Sequence, residues 1–271
     1  MKAWRTWILT ALGFVASFLM FFPILWMGLT AFKREEDAFS IQPVLFFTPT
    51  FQSILEAWTR SDYLLHLENS LIAALGSTAL ALLLAIPAAY SMAFHPGPRT
   101  NFLLLWMIST KMMPPVGAVV AVYLIYRSLG WLDNIWGLTL LYAAINLPVV
   151  VWTLYAYFRE IPGEILEAAR VDGAGTREEI LRILLPVSTP GLASAAILGV
   201  ILAWNEAFWS LILTSSEAAP LAVYVASFKT AEGLFWAKMS AASLFAVLPV
   251  LALGWLAQRQ LVSGLTFGAV K

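Results

Sequence analysis

The stretch EAARVDGAGTREEILRILLP, Glu167 to Pro186, decides how the rest of this chain is read. Most of it is charged or small, yet it interrupts a sequence that is 61% hydrophobic and only 12% charged. Soluble domains run near ~45–50% and ~25% on the same measures. Any water-soluble domain must still cover itself with polar groups. So large an apolar excess therefore belongs to a protein whose solvent is itself apolar. The stretch is a polar excursion from a membrane.

Its local signals are ordered. Pro162 and Gly163 open it, and Glu164–Val171 predicts a short helix with its acids in the first turn, where the helix dipole favours them. Asp172-Gly173 is a turn signal. Thr176-x-x-Glu179 predicts a capping box at the start of a second helix. Ile180, Ile183 and Leu184 share one face of that helix, and Pro186 is expected to stop or kink it. The small Ala168 and Ala169 would let a partner's cleft approach closely. A DNA-binding helix–turn–helix is excluded, because both ends are tethered to apolar runs and the charges nearly cancel.

Outward from this insert, six apolar runs reach the length a bilayer requires, about 18–25 residues each. They lie near 7–32, 70–94, 102–126, 135–158, 191–214 and 239–257. The fold class expected is an all-α integral membrane protein, one domain over 1–271 with six transmembrane helices. A cytoplasmic helix–turn–helix loop would occupy 159–186 and a tail 258–271. The first run exceeds a signal peptide's core of about 7–15 residues and lacks a cleavage pattern, so it is expected to be retained. With the N-terminus inside, Lys2, Arg5, Arg99, Arg159, Arg170, Arg177, Arg182, Arg259 and Lys271 face the cytoplasm, against six Lys and Arg outside. Both termini are therefore placed in the cytoplasm. In the long outer segment 33–69, Thr50 can cap a small amphipathic helix carrying Phe51, Ile54, Leu55 and Trp58. Pro23, Pro87, Pro114, Pro115, Pro148 and Pro249 fall inside spans and predict bent helices round a common path.

Other chemistries find little footing. The net charge is +0 with no long basic run, against a nucleic-acid partner. There is no Cys, and His66 and His95 are read as isolated loop histidines, so no metal centre is expected. No G-x4-GK-[ST] phosphate loop occurs, so this chain is not expected to hydrolyse ATP. Ionisable groups inside a membrane are costly and mark function by default. Lys111 in the third run and Asn205 and Glu206 in the fifth are candidates to line a solute path and hydrogen-bond its hydroxyls, with Trp204 and Trp209 stacking on a carbon face. A Lys111–Glu206 pair that merely tethers two helices is the competing reading.

The pattern EAA-x3-G-x9-I-x-LP is matched at Glu167, Ala168, Ala169, Gly173, Ile183, Leu185 and Pro186. It resembles the signature loop of permease subunits of bacterial ABC importers. The terminal GLTFGAVK (Gly264–Lys271), with PTFQSILEAW, NSLIAALGSTALALLLAIPAAY and APLAV, is similar to the maltose-permease-type carbohydrate branch, so the resemblance covers nearly the whole chain. STKMMPPVGAVVAVYLI (Ser109–Ile125) resembles permeases for polyols such as mannitol and sorbitol.

This resemblance implies an inner-membrane subunit of a binding-protein-dependent importer for a sugar or sugar alcohol. Its partners would be a second permease, two ATP-binding subunits holding ATP and magnesium, and an external solute-binding protein. Glu167, Ala168, Ala169, Asp172, Gly173, Ile183, Leu185 and Pro186 would couple to an ATPase cleft. Gly264, Leu265, Thr266, Gly268 and Lys271 would reach between the ATPases. The rival is a stand-alone secondary transporter, which would carry inverted repeats and run on an ion gradient.

Overall fold

A computed structural model describes residues 2–59, 63–230 and 233–265. In chain order the helices are α1 (Lys2–Ala31), α2 (Glu35–Ala38), α3 (Gln52–Thr59), α4 (Tyr63–Phe94), α5 (Thr100–Met112), α6 (Val119–Ser128) and α7 (Ile135–Phe158). There follow α8 (Gly163–Val171), α9 (Thr176–Glu178), a π-helical turn over Glu179–Leu184, α10 (Leu185–Val187), α11 (Thr189–Trp204), α12 (Phe208–Leu213), α13 (Leu221–Ala226) and α14 (Trp236–Leu265). Strands β1 (Lys229–Thr230) and β2 (Gly233–Leu234) form a minimal antiparallel hairpin. Among the described residues the structure is all-α apart from that hairpin.

Thr6–Ala31, Tyr63–Phe94 and Ile135–Phe158 are each long and apolar enough to cross a membrane. A fourth crossing is available if Thr176–Val187 and Thr189–Trp204, bent by 82°, are taken together. Two of the apolar runs are not continuous helices. Residues 102–126 are divided between α5 and α6, because Pro114 and Pro115 deny two successive N–H donors and leave only a 3₁₀ turn, Pro115–Gly117. Residues 191–214 break at Asn205–Ala207, between α11 and α12. By contrast α1, α4, α7 and α14 run on through Pro23, Pro87, Pro148 and Pro249.

The chain forms two compact units. The first comprises 1–63 and 224–249. Here the Glu35 carboxylate accepts hydrogen bonds from the N–H groups of Ala237 and Lys238 at 3.1 and 3.0 Å, capping α14. Lys238 in turn pairs with Glu56 at 2.6 Å. Thr50 accepts from the N–H of Gln52 at 3.2 Å at the start of α3. The buried side of α3 is Ser53 and Ala57, whereas Phe51, Leu55 and Trp58 face outward, as suits a helix lying in a membrane interface. The Tyr224 hydroxyl donates to the Ala57 carbonyl, and Tyr63 packs on Tyr224 and Phe245.

The second unit comprises 64–223 and the described residues from 250 onward. Its centre is α7, packed against α5 and α11. Along α4, Ala74, Thr78, Ala81, Ala85 and Ala89 recur on one buried face. Small residues let helix backbones approach, which replaces the hydrophobic effect as the source of association in lipid. Gly191 shows how close that approach is, since a Cβ there would overlap the ring of Tyr157.

Candidate functional site

Between α7 and α11 the chain makes a compact elbow. Helix α8 ends in a Schellman motif: the N–H of Gly173 donates to the Arg170 carbonyl at 3.0 Å and that of Ala174 to the Ala169 carbonyl at 2.9 Å. This closure needs a left-handed residue, and Gly173 supplies it at φ +86. Nothing lies within 4 Å of where its Cβ would stand, so the requirement is conformational, not steric.

The second half differs from the sequence expectation in three respects. Thr176 starts α9 but does not cap it. Gly175 holds the cap position, its carbonyl accepting from the Glu179 N–H at 2.9 Å while its own N–H donates to the Glu178 carboxylate at 3.4 Å. Glu179 is thereby free to turn inward. Pro186 does not stop the helix either. It follows the wide π turn, where the Leu185 N–H reaches back to the Ile180 carbonyl, and this spacing relieves the clash a proline ring makes with a normal α turn. The break comes at Ser188, just ahead of Pro190, whose missing N–H suits the start of α11. Ala169, expected at a docking surface, is instead buried beside Leu166, while Ala168 and Glu167 are exposed.

Inside the elbow, Arg170 donates from Nε to Glu179 Oε2 at 3.0 Å and from Nη2 to Oε1 at 2.6 Å. Glu179 is only 2% exposed. The Arg170 hydrogen bonds hold its carboxyl below the ordinary carboxylate range, against the opposing pull of burial. His95 Nε2 lies 3.3 Å from both Arg170 Nη2 and the Tyr90 hydroxyl. His95 is thus a contact of the elbow, not an isolated loop residue, and His66 lies within α4 with Nδ1 2.7 Å from the Ala219 carbonyl. Ile180, Ile183, Leu166 and Leu184 pack with Phe158 and Ala85. The elbow is braced internally and seated on the ends of α4 and α7. Two charged residues nine apart, one of them spent on a presumed cap, gave no sequence signal of this pair.

In the membrane region, Lys111 donates to Asn146 Oδ1 at 3.2 Å. No Lys111–Glu206 ion pair forms, although Glu206 lies within electrostatic reach. Asn146 is 4% exposed and its Nδ2 has no hydrogen-bond partner. Glu206 accepts from the Trp209 N–H at 3.2 Å through its carboxylate and from the Tyr142 hydroxyl at 2.8 Å through its carbonyl, at the break between α11 and α12. Asn205 is exposed and donates to the Ile201 carbonyl at 2.8 Å. Trp204 is half-buried, while Trp209 is buried edge-on against Phe208 and offers no open ring face. Asn146 was missed because its partner is 35 residues away.

At the opposite end of this unit Asp133, at φ +52, gathers the loop after α12. Its carboxylate accepts from the N–H groups of Ser215, Ser216, Glu217 and Ala218 at 2.9–3.1 Å and from two serine hydroxyls. Burial would raise this carboxyl, but the N–H groups of Ser215, Ala218 and Glu217 and the Ser215 hydroxyl hold it well below the usual range. Asn69 adds a hydrogen bond to the Glu217 carbonyl at 2.8 Å. The tail residues Thr266, Gly268 and Lys271 lie outside the described residues; Gly264 and Leu265 end α14.

The family profile described as "Binding-protein-dependent transport system inner membrane component" matches residues 81–262. The diacetylchitobiose uptake system permease protein of Streptomyces coelicolor is 36% identical over 254 residues, 92% of this chain and 91% of that protein. The trehalose/maltose transport system permease protein of Thermococcus litoralis is 32% identical over 258 residues, 92% and 91% of the two chains. A crystal structure of a bacterial ABC transporter involved in the import of the acidic polysaccharide alginate aligns with a TM-score of 0.76 at 20% identity, covering 96% of this chain and 98% of the other.

Proposed function

Since this chain belongs to the binding-protein-dependent transport system inner membrane components, we propose that it forms one half of the membrane path of an ATP-driven carbohydrate importer. Its partners in this reading are a second, homologous permease, two ATP-binding subunits that hold ATP and magnesium, and an external solute-binding protein. The chain itself binds no nucleotide. It crosses the inner membrane six times with both termini in the cytoplasm, which puts the elbow inside and the Asp133 loop outside. The relatives named for diacetylchitobiose and for trehalose and maltose support a sugar as the solute. The Ser109–Ile125 segment favours a sugar alcohol within that class.

The observation that carries this reading is the elbow. It presents Glu167, Ala168 and Val171 outward while Leu166, Ala169, Leu184 and Glu179 lock it from within. A ligand moves a two-state protein only by binding the two states differently. A braced elbow, seated in an ATPase cleft through Glu167–Gly173, Ile183, Leu185 and Pro186, passes the closure of the ATPases to α11; a slack one would absorb it. Gly264–Lys271 reaches between the ATPases. Along the path, Lys111, Asn205 and Glu206 hydrogen-bond solute hydroxyls, Trp204 offers a ring face, and Trp209 shapes the wall from behind Phe208.

The test is to purify the chain with the products of its neighbouring genes, reconstitute it, and follow labelled sugars and polyols. Uptake that requires ATP and the external binding protein is the expected result. Uptake driven by an ion gradient, with no ATPase attached, would make this a stand-alone secondary transporter and end the proposal.

A further inference from the structure

Lys33 stands two residues beyond α1, where the first apolar run meets Lys33-Arg34-Glu35-Glu36. It is 2% exposed. Its Nζ lies 4.1 Å from the centroid of the Trp26 ring and 5.2 Å from that of Phe47. Ring faces attract a cation but accept none of its N–H groups in the way an oxygen does. Among the described residues, no oxygen accepts a hydrogen bond from this ammonium, and Asp37 does not come within ion-pair distance. Burial pushes its pKa down and the Asp37 charge opposes that only in part. The side chain is buried, but its Nζ is not enclosed, so its N–H groups can meet an oxygen acceptor from the space that Lys33 lines.

The space for one is present. Lys33 lines a pocket of about 440 Å³ within the first unit, with Asp37 as its other charge and Trp26, Met27, Val44 and Trp236 among its apolar walls. Small-molecule sites are typically about 300–1,000 Å³, mostly apolar with a few placed polar groups. The pocket sits at the end of α1, a helix whose residues from Thr6 to Pro23 are exposed and which buries none of its most apolar window inside the protein. In the six-span reading proposed above, on which this inference rests, that end lies at headgroup depth in a bilayer, the level that tryptophans such as Trp26 favour.

We propose that this pocket binds the headgroup of a membrane lipid carrying both a phosphodiester and a primary amine. The phosphate oxygens accept from Lys33, and the amine is drawn to Asp37. Acyl chains leave along the exposed flank of α1. A neutral sugar would supply no counter-charge for the ammonium, and a purely anionic headgroup would set its charge near Asp37 with nothing to offset it.

The full chain, delipidated in detergent, is offered phosphatidylethanolamine, phosphatidylglycerol or phosphatidylcholine in mixed micelles, or soluble phosphoethanolamine, and retained ligand is read by native mass spectrometry. Phosphatidylethanolamine is expected to be retained at least about tenfold better than phosphatidylcholine, the scale of one charge-assisted hydrogen bond. Lys33→Gln should lose that retention by about tenfold, the same single bond, while Lys33→Arg keeps it. Asp37→Asn, which leaves Lys33 in place, should keep phosphate binding but lose the preference over phosphatidylglycerol. Equal retention of all lipids, unchanged in Lys33→Gln, overturns the proposal. So does an Asp37→Asn protein with undiminished preference, and so does soluble phosphoethanolamine binding as tightly as the lipid, which would make the ligand a free phosphate compound.

Discussion

Glu179 takes both arms of the Arg170 guanidinium, at 3.0 and 2.6 Å, across a turn that Gly173 makes at φ +86. The acid is buried and the arginine half-exposed, so removing either has unequal consequences. Loss of Arg170 strands a buried carboxylate. Arg170→Met should therefore destabilise the purified protein by about 2 kcal/mol, seen as a lower unfolding temperature in detergent. Glu179→Gln, which keeps one acceptor, should cost less. The double variant Arg170→Met/Glu179→Met should recover most of the loss. If the double variant is as unstable as Arg170→Met alone, the pair is not what fastens the elbow.

At Gly173 the penalty is in the backbone. Any other side chain at φ +86 costs about 1–2 kcal/mol locally, and no neighbouring atom stands in the way. Gly173→Val is expected to insert and assemble normally yet lower the solute imported per ATP hydrolysed in reconstituted vesicles. Glu167→Lys, at an exposed position, should do the same with no change in thermal stability. Full uptake in both would remove the elbow from the coupling path.

Asp133 makes a pH prediction with a definite sign. Its carboxyl sits well below the usual range in the folded protein. Its contribution is therefore complete above the unfolded carboxylate pKa of about 3.9 and is lost as pH falls below it toward the folded value. Below about pH 4 wild-type protein should lose stability more steeply than Asp133→Asn. The variant should be the less stable at pH 7, with the difference shrinking as the medium acidifies. Parallel curves would show that the loop from Ser215 to Ala218 is held by other means.

Gly191 against Tyr157 is a packing test. Gly191→Ala drives a methyl into the ring, and overpacking of this kind costs about 1–3 kcal/mol. Tyr157→Ala in the same chain should restore the unfolding temperature in part. No gain from the second change would mean that the close approach of α7 and α11 is not limited by this ring.

In the membrane, Lys111 and Asn146 make the other test. Asn146→Leu leaves Lys111 without its acceptor, and Lys111→Met leaves Asn146 Oδ1 unpaired. If the pair serves the solute path, both raise KM for uptake by about tenfold, the value of one hydrogen bond to a charged group. Glu206→Gln should shift selectivity among sugars. Unchanged KM and selectivity in all three would make these groups structural.

Much of this architecture was legible because lipid simplifies the reading. The runs 7–32, 70–94 and 135–158 are helices for the reason expected, since every backbone polar group in hydrocarbon must be satisfied within its own segment. Gly173 was likewise readable as a turn, because few residues tolerate its conformation. The interruptions were not. The apolar run 102–126 contains Pro114 and Pro115, but proline also lies harmlessly inside α4 and α7, so composition alone does not say which proline breaks a span. Glu179 was misassigned because a capping box and an inward ion pair ask for the same residue type, and only the position of Arg170 in space decides between them. Asn146 gave no signal, since its meaning depends on Lys111 from a separate helix.

The 82° bend at Ser188 has a mechanical corollary. A push along the axis of Thr176–Val187 has almost no component along α11, so it acts as torque on that helix instead of sliding it through its neighbours. Rotation about the hinge carries Asn205 and Glu206, at the far end of α11, through the largest arc. The part of the chain that travels furthest is thus the part that interrupts the apolar span.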